Sequence, residues 1–254
     1  MSEKEDARKV FSKNSDAYVT SSTHATGEDL SLMINWLNPD STQHVLDIAT
    51  GGGHTAKKLA PYVKQITATD ITETMLINTA AHLTDLNNIS YQVADAENLP
   101  FESNTFDIVT CRIAAHHFPN PGLFIAEVYR ILKPDGEFLF IDNIAPENST
   151  HDTFVNSLEK MRDYSHVRSR SISEWKELLV KQNLKTRMET TRKKTLPYQE
   201  WVRRTLDKED KIKEVDQFIS SAAADIHDYF QIEFEGNKIT SFAIDEWMVL
   251  AEKK

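Results

Sequence analysis

The stretch that decides the fold is Val45-Leu-Asp-Ile-Ala-Thr-Gly-Gly-Gly-His54. Its apolar beginning predicts a buried strand with Asp47 at the polar end, and its glycines predict a turn. The residues that follow are able to form a helix through Ala56 and Leu59. A strand, a glycine turn and a helix in this order are typical of the start of a nucleotide-binding α/β domain. Glycine allows positive φ and close approach of a ligand, and the new helix presents unpaired N–H groups to a negative group.

Two classes of ligand use such a turn. Gly51-x-Gly53-x-x-Ala56 fits the loose dinucleotide pattern, so a nicotinamide-dependent oxidoreductase on a Rossmann sheet remains an alternative. Asp47 argues against it, because a carboxylate before the turn repels a pyrophosphate but suits a ligand with an ammonium or sulfonium cation. S-adenosylmethionine has both cations and no phosphate, and its carboxylate can use the helix N-terminus. A turn-capping role is the structural alternative for Asp47.

The segment Asp47-Ile-Ala-Thr-Gly-Gly-Gly53 resembles the D-x-G-x-G-x-G signature of class I S-adenosylmethionine-dependent methyltransferases. It departs from that signature at Ala49, where the family usually has glycine. The resemblance implies that Asp47, Ala49, Gly51 and Gly53 bind the cofactor.

The second predicted strand ends in another acid, Asp70. A carboxylate at this strand end is able to accept both ribose hydroxyl protons, so Asp70 indicates adenosine without indicating the chemistry. Ile71 and Met75 follow it and are placed to flank an adenine ring, although both would serve equally as core residues.

The third predicted strand is followed by Asp95-Ala-Glu-Asn-Leu-Pro-Phe101, which resembles the adenine-binding motif of small-molecule methyltransferases. The resemblance implies that Asp95 accepts from the exocyclic amine and that the Ala96 N–H meets a ring nitrogen. One acceptor and one donor match that edge of adenine.

The fourth predicted strand leads into Arg112-Ile-Ala-Ala-His-His117. Ligands of open α/β sheets bind beyond the carboxyl ends of the strands, so we expect Arg112, His116 and His117 near the transferable methyl group. One of the two histidines is a candidate catalytic base, because the unperturbed imidazole pKa lies near neutrality. The alternative is that one histidine packs against Phe118 and Pro119 while the other bonds to the loop.

Other polar residues of this region have less specific roles. Arg112 is suited to hold an anionic substrate group or the methionine carboxylate. Asp142, at the end of the fifth predicted strand, is placed to orient a substrate hydroxyl or amine. No third ligand with suitable spacing joins the two histidines, so we expect no metal site. The lone cysteine, Cys111, excludes an internal disulfide.

The N-terminal part predicts a polar helix over residues 4–20 that brings Phe11 and Tyr18 to one side. A small-polar loop with His24 follows, and then a second helix that stops before Pro39. In the family that the chain resembles, such segments close over the cofactor. Tyr18 and His24 are therefore candidate contacts of the methionine end or the substrate, with a packed aromatic and a surface histidine as the alternative.

Beyond Pro146 the resemblance weakens. The pattern predicts helices over 150–165 and 173–182, a strand over 184–191, a helical insertion over about 197–230 and a last strand over 239–251. The basic run Lys185–Lys194 is interpreted as a solvated strand and loop.

The resemblance implies an α/β fold with a Rossmann-like seven-stranded sheet. The expected strand order is 3-2-1-4-5-7-6, with strand 7 antiparallel and helices on both faces. We divide the chain into an N-terminal helical lid segment (residues 1–40) and a class I methyltransferase domain (residues 41–254). The insertion at about 197–230 is expected to complete the substrate lid.

Composition limits the function classes. The 254 residues are 40% hydrophobic and 27% charged, which is typical of a globular protein. The net charge of −10 argues against nucleic acid and anionic membranes as partners. No apolar run is long enough for membrane insertion, and the cytoplasm is the expected compartment.

The chain resembles the methyltransferases of the ubiquinone/menaquinone-biosynthesis type. It implies methyl transfer from S-adenosyl-L-methionine to a small-molecule acceptor by in-line displacement, in which a base is needed only if the nucleophile keeps its proton. A non-catalytic cofactor-binding module is a further alternative. The sequence leaves open the acceptor, the methylated atom and the oligomeric state, a homodimer included.

Overall fold

The secondary structure alternates strands and helices along most of the chain. The computed structural model describes residues 3–19 and 27–254, and it describes side chains outside residues 14–19. The helices are α1 (Glu3–Val19), α2 (Glu28–Leu37), α3 (His54–Leu59), α4 (Glu73–His82), α5 (Pro121–Ile131), α6 (Ser149–Arg162), α7 (Ile172–Lys181), α8 (Tyr198–Val202), α9 (Glu209–Ser220) and α10 (Ala224–Tyr229). The strands are β1 (His44–Ile48), β2 (Gln65–Asp70), β3 (Ile89–Val93), β4 (Phe106–Arg112), β5 (Leu132–Ile144), β6 (Leu184–Pro197), β7 (Glu233–Glu235) and β8 (Lys238–Lys253).

The strands form one sheet in the order β3-β2-β1-β4-β5-β8-β6. Strands β1 to β5 pair in parallel, and β8 runs antiparallel to both β5 and β6. β8 thus occupies the position expected for strand 7, and the predicted order is confirmed. The sheet has one strand more than predicted, because the three residues of β7 pair with the start of β8.

Strand β1 lies inside the sheet, between β2 and β4, and has helices on both sides. Val45, Leu46 and Ile48 are buried because β1 is paired on both edges and covered on both faces. One face packs against α5 and α7, and the other packs against α2 and α3. The loops that follow the parallel strands therefore meet at one edge of the sheet.

The helical insertion has an apolar core of its own. Residues of α6, α8, α9 and α10 pack against the first half of β8. The aromatic members of this cluster are Phe154 of α6, Tyr198 and Trp201 of α8, Phe230 after α10 and Phe242 of β8. This arrangement sets the insertion beside the carboxyl ends of β5 and β6.

The segment after β3 is fastened to α5 by Arg130. Its Nη1 and Nη2 donate to the carbonyl oxygens of Phe101 at 2.6 Å and Leu99 at 3.0 Å. Glu127 binds both the Arg130 guanidinium and the backbone N–H of Leu99, each at 2.7 Å. These bonds hold the segment that carries Asp95.

Replacing Arg130 by methionine should lower the free energy of unfolding by about 1–3 kcal/mol, because two carbonyl oxygens lose their donor and the Glu127 carboxylate loses its charged partner. The matched control is Arg187→Met, since the Arg187 guanidinium lies 3.6 and 3.7 Å from the carboxylates of Glu137 and Glu252. That surface pair should contribute less than about 1 kcal/mol. Urea unfolding of both variants measures the difference, and equal losses would contradict the clamp.

Candidate active site

A cavity opens at the carboxyl edge of the parallel strands. Among the predicted site residues, the cavity lining includes Asp47, Ala49, Gly51, Asp70, Ile71, Met75, Asp95, Ala96, Arg112, His116 and His117. Gly53 lies behind the loop. The Tyr18 side chain and His24 lie outside the described residues, so their roles stay predictions.

The loop after β1 depends on left-handed backbone at three positions. Ala49, Gly51 and Gly53 have φ values of 52°, 51° and 75°. At Ala49 the Cβ costs about 1 kcal/mol relative to glycine, which is a physical reason for glycine in the related signature. A Cβ on Gly53 would lie 2.4 Å from Thr79 Cγ2, so Gly53 permits close packing of the loop on α4. A Cβ on Gly51 would meet no atom within 4 Å, which leaves room over the loop.

Asp47 is a buried carboxylate with two hydroxyl donors. Its Oδ2 accepts from Thr50 Oγ1 at 2.6 Å, and its Oδ1 accepts from Thr110 Oγ1 at 2.7 Å. Asp47 is only 1% exposed. Burial raises the pKa of Asp47 to about 6, although the two hydroxyls and the Arg112 charge favour the ionised form.

Asp70 is buried in the same way at the end of β2. Its Oδ1 accepts from the Thr72 N–H at 2.9 Å, and its Oδ2 accepts from the Gly51 N–H at 3.2 Å. Burial raises the pKa of Asp70 to about 6 as well. The cavity therefore has two carboxylates whose charge is poorly solvated, side by side at the ends of β1 and β2.

Helix α1 crosses the end of the cavity at which Asp95 lies. Lys4 Nζ lies 2.6 Å from Asp95 Oδ2 and 2.7 Å from Glu97 Oε2. Burial lowers the pKa of Lys4, but the bonds to the two acids outweigh it and the pKa is raised. Ala7 and Phe11 of α1 also line the cavity, and the Phe11 ring meets the His117 ring edge-on at 4.9 Å. The sequence pattern did not predict the Lys4 contact.

His116 is held by Asp142. Its Nδ1 lies 2.6 Å from Asp142 Oδ1, and its backbone N–H donates to Asp142 Oδ2 at 3.0 Å. The bond to the carboxylate places the proton on Nδ1 and turns Nε2 away from Asp142. Burial opposes the imidazolium, but the Asp142 charge outweighs it and raises the pKa of His116 above 6.5. Asp142 is 1% exposed and does not line the cavity, so the structure gives it the role of holding His116 instead of the expected contact with a substrate.

His117 and His166 stay neutral beside His116. His117 Nδ1 donates to the carbonyl oxygen of Ser165 at 3.0 Å, and the rings of His116 and His117 are 4.3 Å apart. Burial and the charge of His116 lower the pKa of His117 to about 4, and the same causes lower the pKa of His166 to about 3. As the pH falls, His116 is therefore the first of the three histidines to become protonated.

The opposite end of the cavity is lined by residues that the sequence did not indicate. They come from α6, β6 and the insertion: Glu159, Arg162, Lys194, Leu196, Trp201 and Arg204. Arg162 Nη2 lies 2.8 Å from Glu159 Oε2, and its guanidinium lies 4.9 Å from the centre of the Trp201 ring. The cation–π contact places the Arg162 charge against an aromatic wall.

The interpretation of Lys185–Lys194 as a solvated strand needs correction. β6 alternates, so Lys193 points to the surface while Arg192 and Lys194 point inward and pair with the buried Glu246. The period of two in the basic run was the available signal.

Arg112 is the last residue of β4, which pairs with β1, and its side chain is buried. Its Nε donates to Asp29 Oδ2, and its Nη2 is buried without a hydrogen-bond partner among the described residues.

Within residues 3–19 and 27–254, no group of histidine, cysteine, aspartate and glutamate has a metal-binding arrangement. No helix in the same part of the chain is both long and apolar enough to cross a membrane.

Fold and cavity together define an α/β methyltransferase of class I, and the comparisons with known proteins agree. A family model described as "Methyltransferase domain" matches residues 46–140. The uncharacterized methyltransferase YcgJ of Bacillus subtilis is 38% identical over 231 residues, covering 89% of this chain and 90% of the relative. The chain therefore belongs to the methyltransferase family.

Solved structures have the same fold. A candidate methyltransferase of Bacillus halodurans superposes with a TM-score of 0.87 at 38% identity, covering 89% of this chain and 99% of that chain. A ubiquinone/menaquinone biosynthesis C-methyltransferase of Rickettsia felis is 37% identical over 113 residues, or 41% of this chain and 46% of that protein. These relatives do not favour the nicotinamide-dependent oxidoreductase that the glycine pattern had left open.

The proton distribution among the histidines is measurable by NMR titration of their rings. We expect a pKa above 6.5 for His116, about 4 for His117 and about 3 for His166. Asp142→Asn should lower the pKa of His116, because the carboxylate that stabilises the imidazolium is removed. Asp85→Asn, a change at an exposed loop carboxylate, serves as the control. An unchanged His116 pKa in Asp142→Asn would contradict the pairing.

Proposed function

We propose that the protein transfers a methyl group from S-adenosyl-L-methionine to a small-molecule acceptor. The observation that supports this most strongly is that one cavity contains the acids at the ends of β1 and β2, the acid after β3, and a histidine paired with a carboxylate. In this proposal residues 1–40 and the insertion at about 197–230 act as the lid over a methyltransferase domain of residues 41–254.

The residues of the cavity fit the cofactor. Asp47 and Asp70 are buried carboxylates whose ionised forms gain from hydroxyl donors and from a cation. Gly51 leaves open space over the loop, and the backbone beyond it begins a helix. Asp95 and Ala96 offer the acceptor and donor that an adenine edge needs. Arg112 offers a buried, unpartnered donor that is suited to the methionine carboxylate or to an anion of the acceptor.

S-adenosyl-L-methionine, when bound, supplies an activated methyl group with a good leaving group. The contribution of the chain is then to hold the acceptor in line and to exclude water. Phe11 and Trp201 enclose the cavity from α1 and from the insertion. His116, through Nε2, is positioned to accept a proton from an acceptor that keeps one at neutral pH, while Asp142 holds the ring. His117 remains neutral and acts as a packing and hydrogen-bonding neighbour.

A methyl-transfer screen tests the function. Purified protein is incubated with methyl-labelled cofactor and a small-molecule extract, and labelled products are separated by mass. Label in a small molecule supports the proposal. Normal cofactor binding without any labelled product would favour the non-catalytic module instead, and bound NAD in the purified protein would favour an oxidoreductase.

Asp70→Asn should weaken binding of S-adenosylhomocysteine by about 1–3 kcal/mol, because a charge-assisted pair of hydrogen bonds is lost. Isothermal titration calorimetry measures the dissociation constant, with Asp85→Asn as the matched control. Equal affinities in wild type and Asp70→Asn would remove Asp70 from the cofactor site.

The acid limb of the pH–rate profile should lie above pH 6.5, because His116 accepts a proton only when it is neutral and its pKa is raised. Asp142→Asn should move this limb to lower pH, since it lowers the His116 pKa. His116→Ala should slow transfer by about 10²–10⁴ without changing cofactor affinity. The profile is measured with the acceptor from the screen, and a fully active His116→Ala variant would remove His116 from the chemistry.

A further inference from the structure

We propose that the methyl acceptor carries an acidic group of the carboxylate or phosphate type, bound between Lys194 and Arg112. This inference names the substrate class of the proposed function and rests on that function. The observation behind it is that the ion pairs of the cavity wall turn their cations towards the cavity and their carboxylates away from it.

Lys194 is the first of these cations. Its side chain is 15% exposed, lines the cavity and places Nζ 3.2 Å from Glu246 Oε2. Burial is the main cause that holds the pKa of Lys194 below its usual 10.5. An ammonium that is poorly solvated in this way gains from an anion placed in the cavity.

The carboxylates that balance these cations lie behind them. Glu246 and Asp29 are 2% and 3% exposed, and neither lines the cavity. Arg192 bridges the two, with contacts of 2.5 Å to Glu246 and 2.9 Å to Asp29. Arg112 and Lys194 therefore stand between the carboxylates and the cavity, so the pairs present their positive ends to a ligand.

Arg112 is the second of these cations. Its Nε is bound to Asp29, but its Nη2 is buried and has no hydrogen-bond partner among the described residues. Arg112 is part of the cavity lining, so its guanidinium charge favours an anion placed there.

A further carboxylate at this end of the cavity is paired with its own cation. Glu159 lines the cavity but is bound to Arg162 through Oε2. Leu196, Trp201 and Ile244 supply apolar wall beside Lys194. The arrangement suits an acceptor with an apolar body and one acidic substituent.

The position of Lys194 separates this group from the methionine carboxylate. Lys194 belongs to β6, which lies four strands away from β1 in the order β1-β4-β5-β8-β6. At about 4.8 Å per strand, the backbones of β1 and β6 are roughly 19 Å apart. Lys194 therefore belongs to the acceptor end, and Arg112 of β4 lies between the two ends.

Binding of benzoate and phenyl phosphate, with benzamide as the neutral probe, tests the inference by calorimetry on protein saturated with S-adenosylhomocysteine. We expect the two acids to bind at least about tenfold more tightly than benzamide, and Lys194→Met to remove that preference. Lys194→Arg should retain it.

Lys193→Met is the matched control, because Lys193 points to the other side of β6, pairs with Asp245 and lies over the Tyr229 ring. It should bind the acids as the wild type does. Each variant is first checked for S-adenosylhomocysteine affinity, which Lys194→Met should change less than about threefold. That check shows that the variant is folded.

Equal affinities for benzoate and benzamide, no binding of either acid, or an unchanged acid preference in Lys194→Met would overturn the inference. Arg112→Met provides the second arm. If it weakens S-adenosylhomocysteine binding and leaves acid binding intact, Arg112 serves the cofactor carboxylate and the proposed acid site is wrong. The acids are also titrated without S-adenosylhomocysteine, so failure of the cofactor proposal is recorded separately from failure of the acid site.

Discussion

The structure of the site depends on the burial of carboxylates at the ends of the central strands. A rise in the pKa of Asp47 from 3.8 to about 6 corresponds to about 3 kcal/mol of unfavourable free energy for the ionised form, and Asp70 has a similar shift. Because the pKa values of both carboxyls are raised in the folded state, protonated Asp47 and Asp70 favour folding. This contribution to stability is fully present below pH 3.8 and is lost as pH rises through about 6. The hydroxyls of Thr50 and Thr110 and the Gly51 N–H limit that cost. A cationic ligand would remove more of it, so the same burial that weakens the fold favours binding.

The histidine cluster balances charge in the opposite way. Three buried imidazoles lie within a few ångströms, and Asp142 decides which of them holds a proton. The Asp142 charge raises the pKa of His116, whereas burial and the charge of His116 lower the pKa values of His117 and His166 to about 4 and about 3. A base and a neutral neighbour thus arise from the same residue type through the placement of one carboxylate.

Local patterns predicted the part of the site that lies within single strand-to-loop units. Asp47, Asp70 and Asp95 each follow an apolar run, and a strand end can be located from such a run alone. The resemblance to a family then supplied the order of the strands. Lys4 and Lys194 were not predictable in this way, because they meet the cavity through α1 and β6, which approach it only after folding. Asp142 was expected to contact a substrate because a strand end shows where a carboxylate lies. The sequence did not show that this carboxylate is bound to His116.

The first helix and the last strand reach different edges of the sheet, and this matters for handling the protein. Lys4 contacts the acids at one end of the cavity, whereas the last residues of β8 pair with the beginning of β5, at the edge away from it. A deletion that removes Lys4 would break its contacts with Asp95 and Glu97 at one end of the cavity. Purification and immobilisation through the carboxyl terminus, where Lys254 is exposed, leave the cavity untouched.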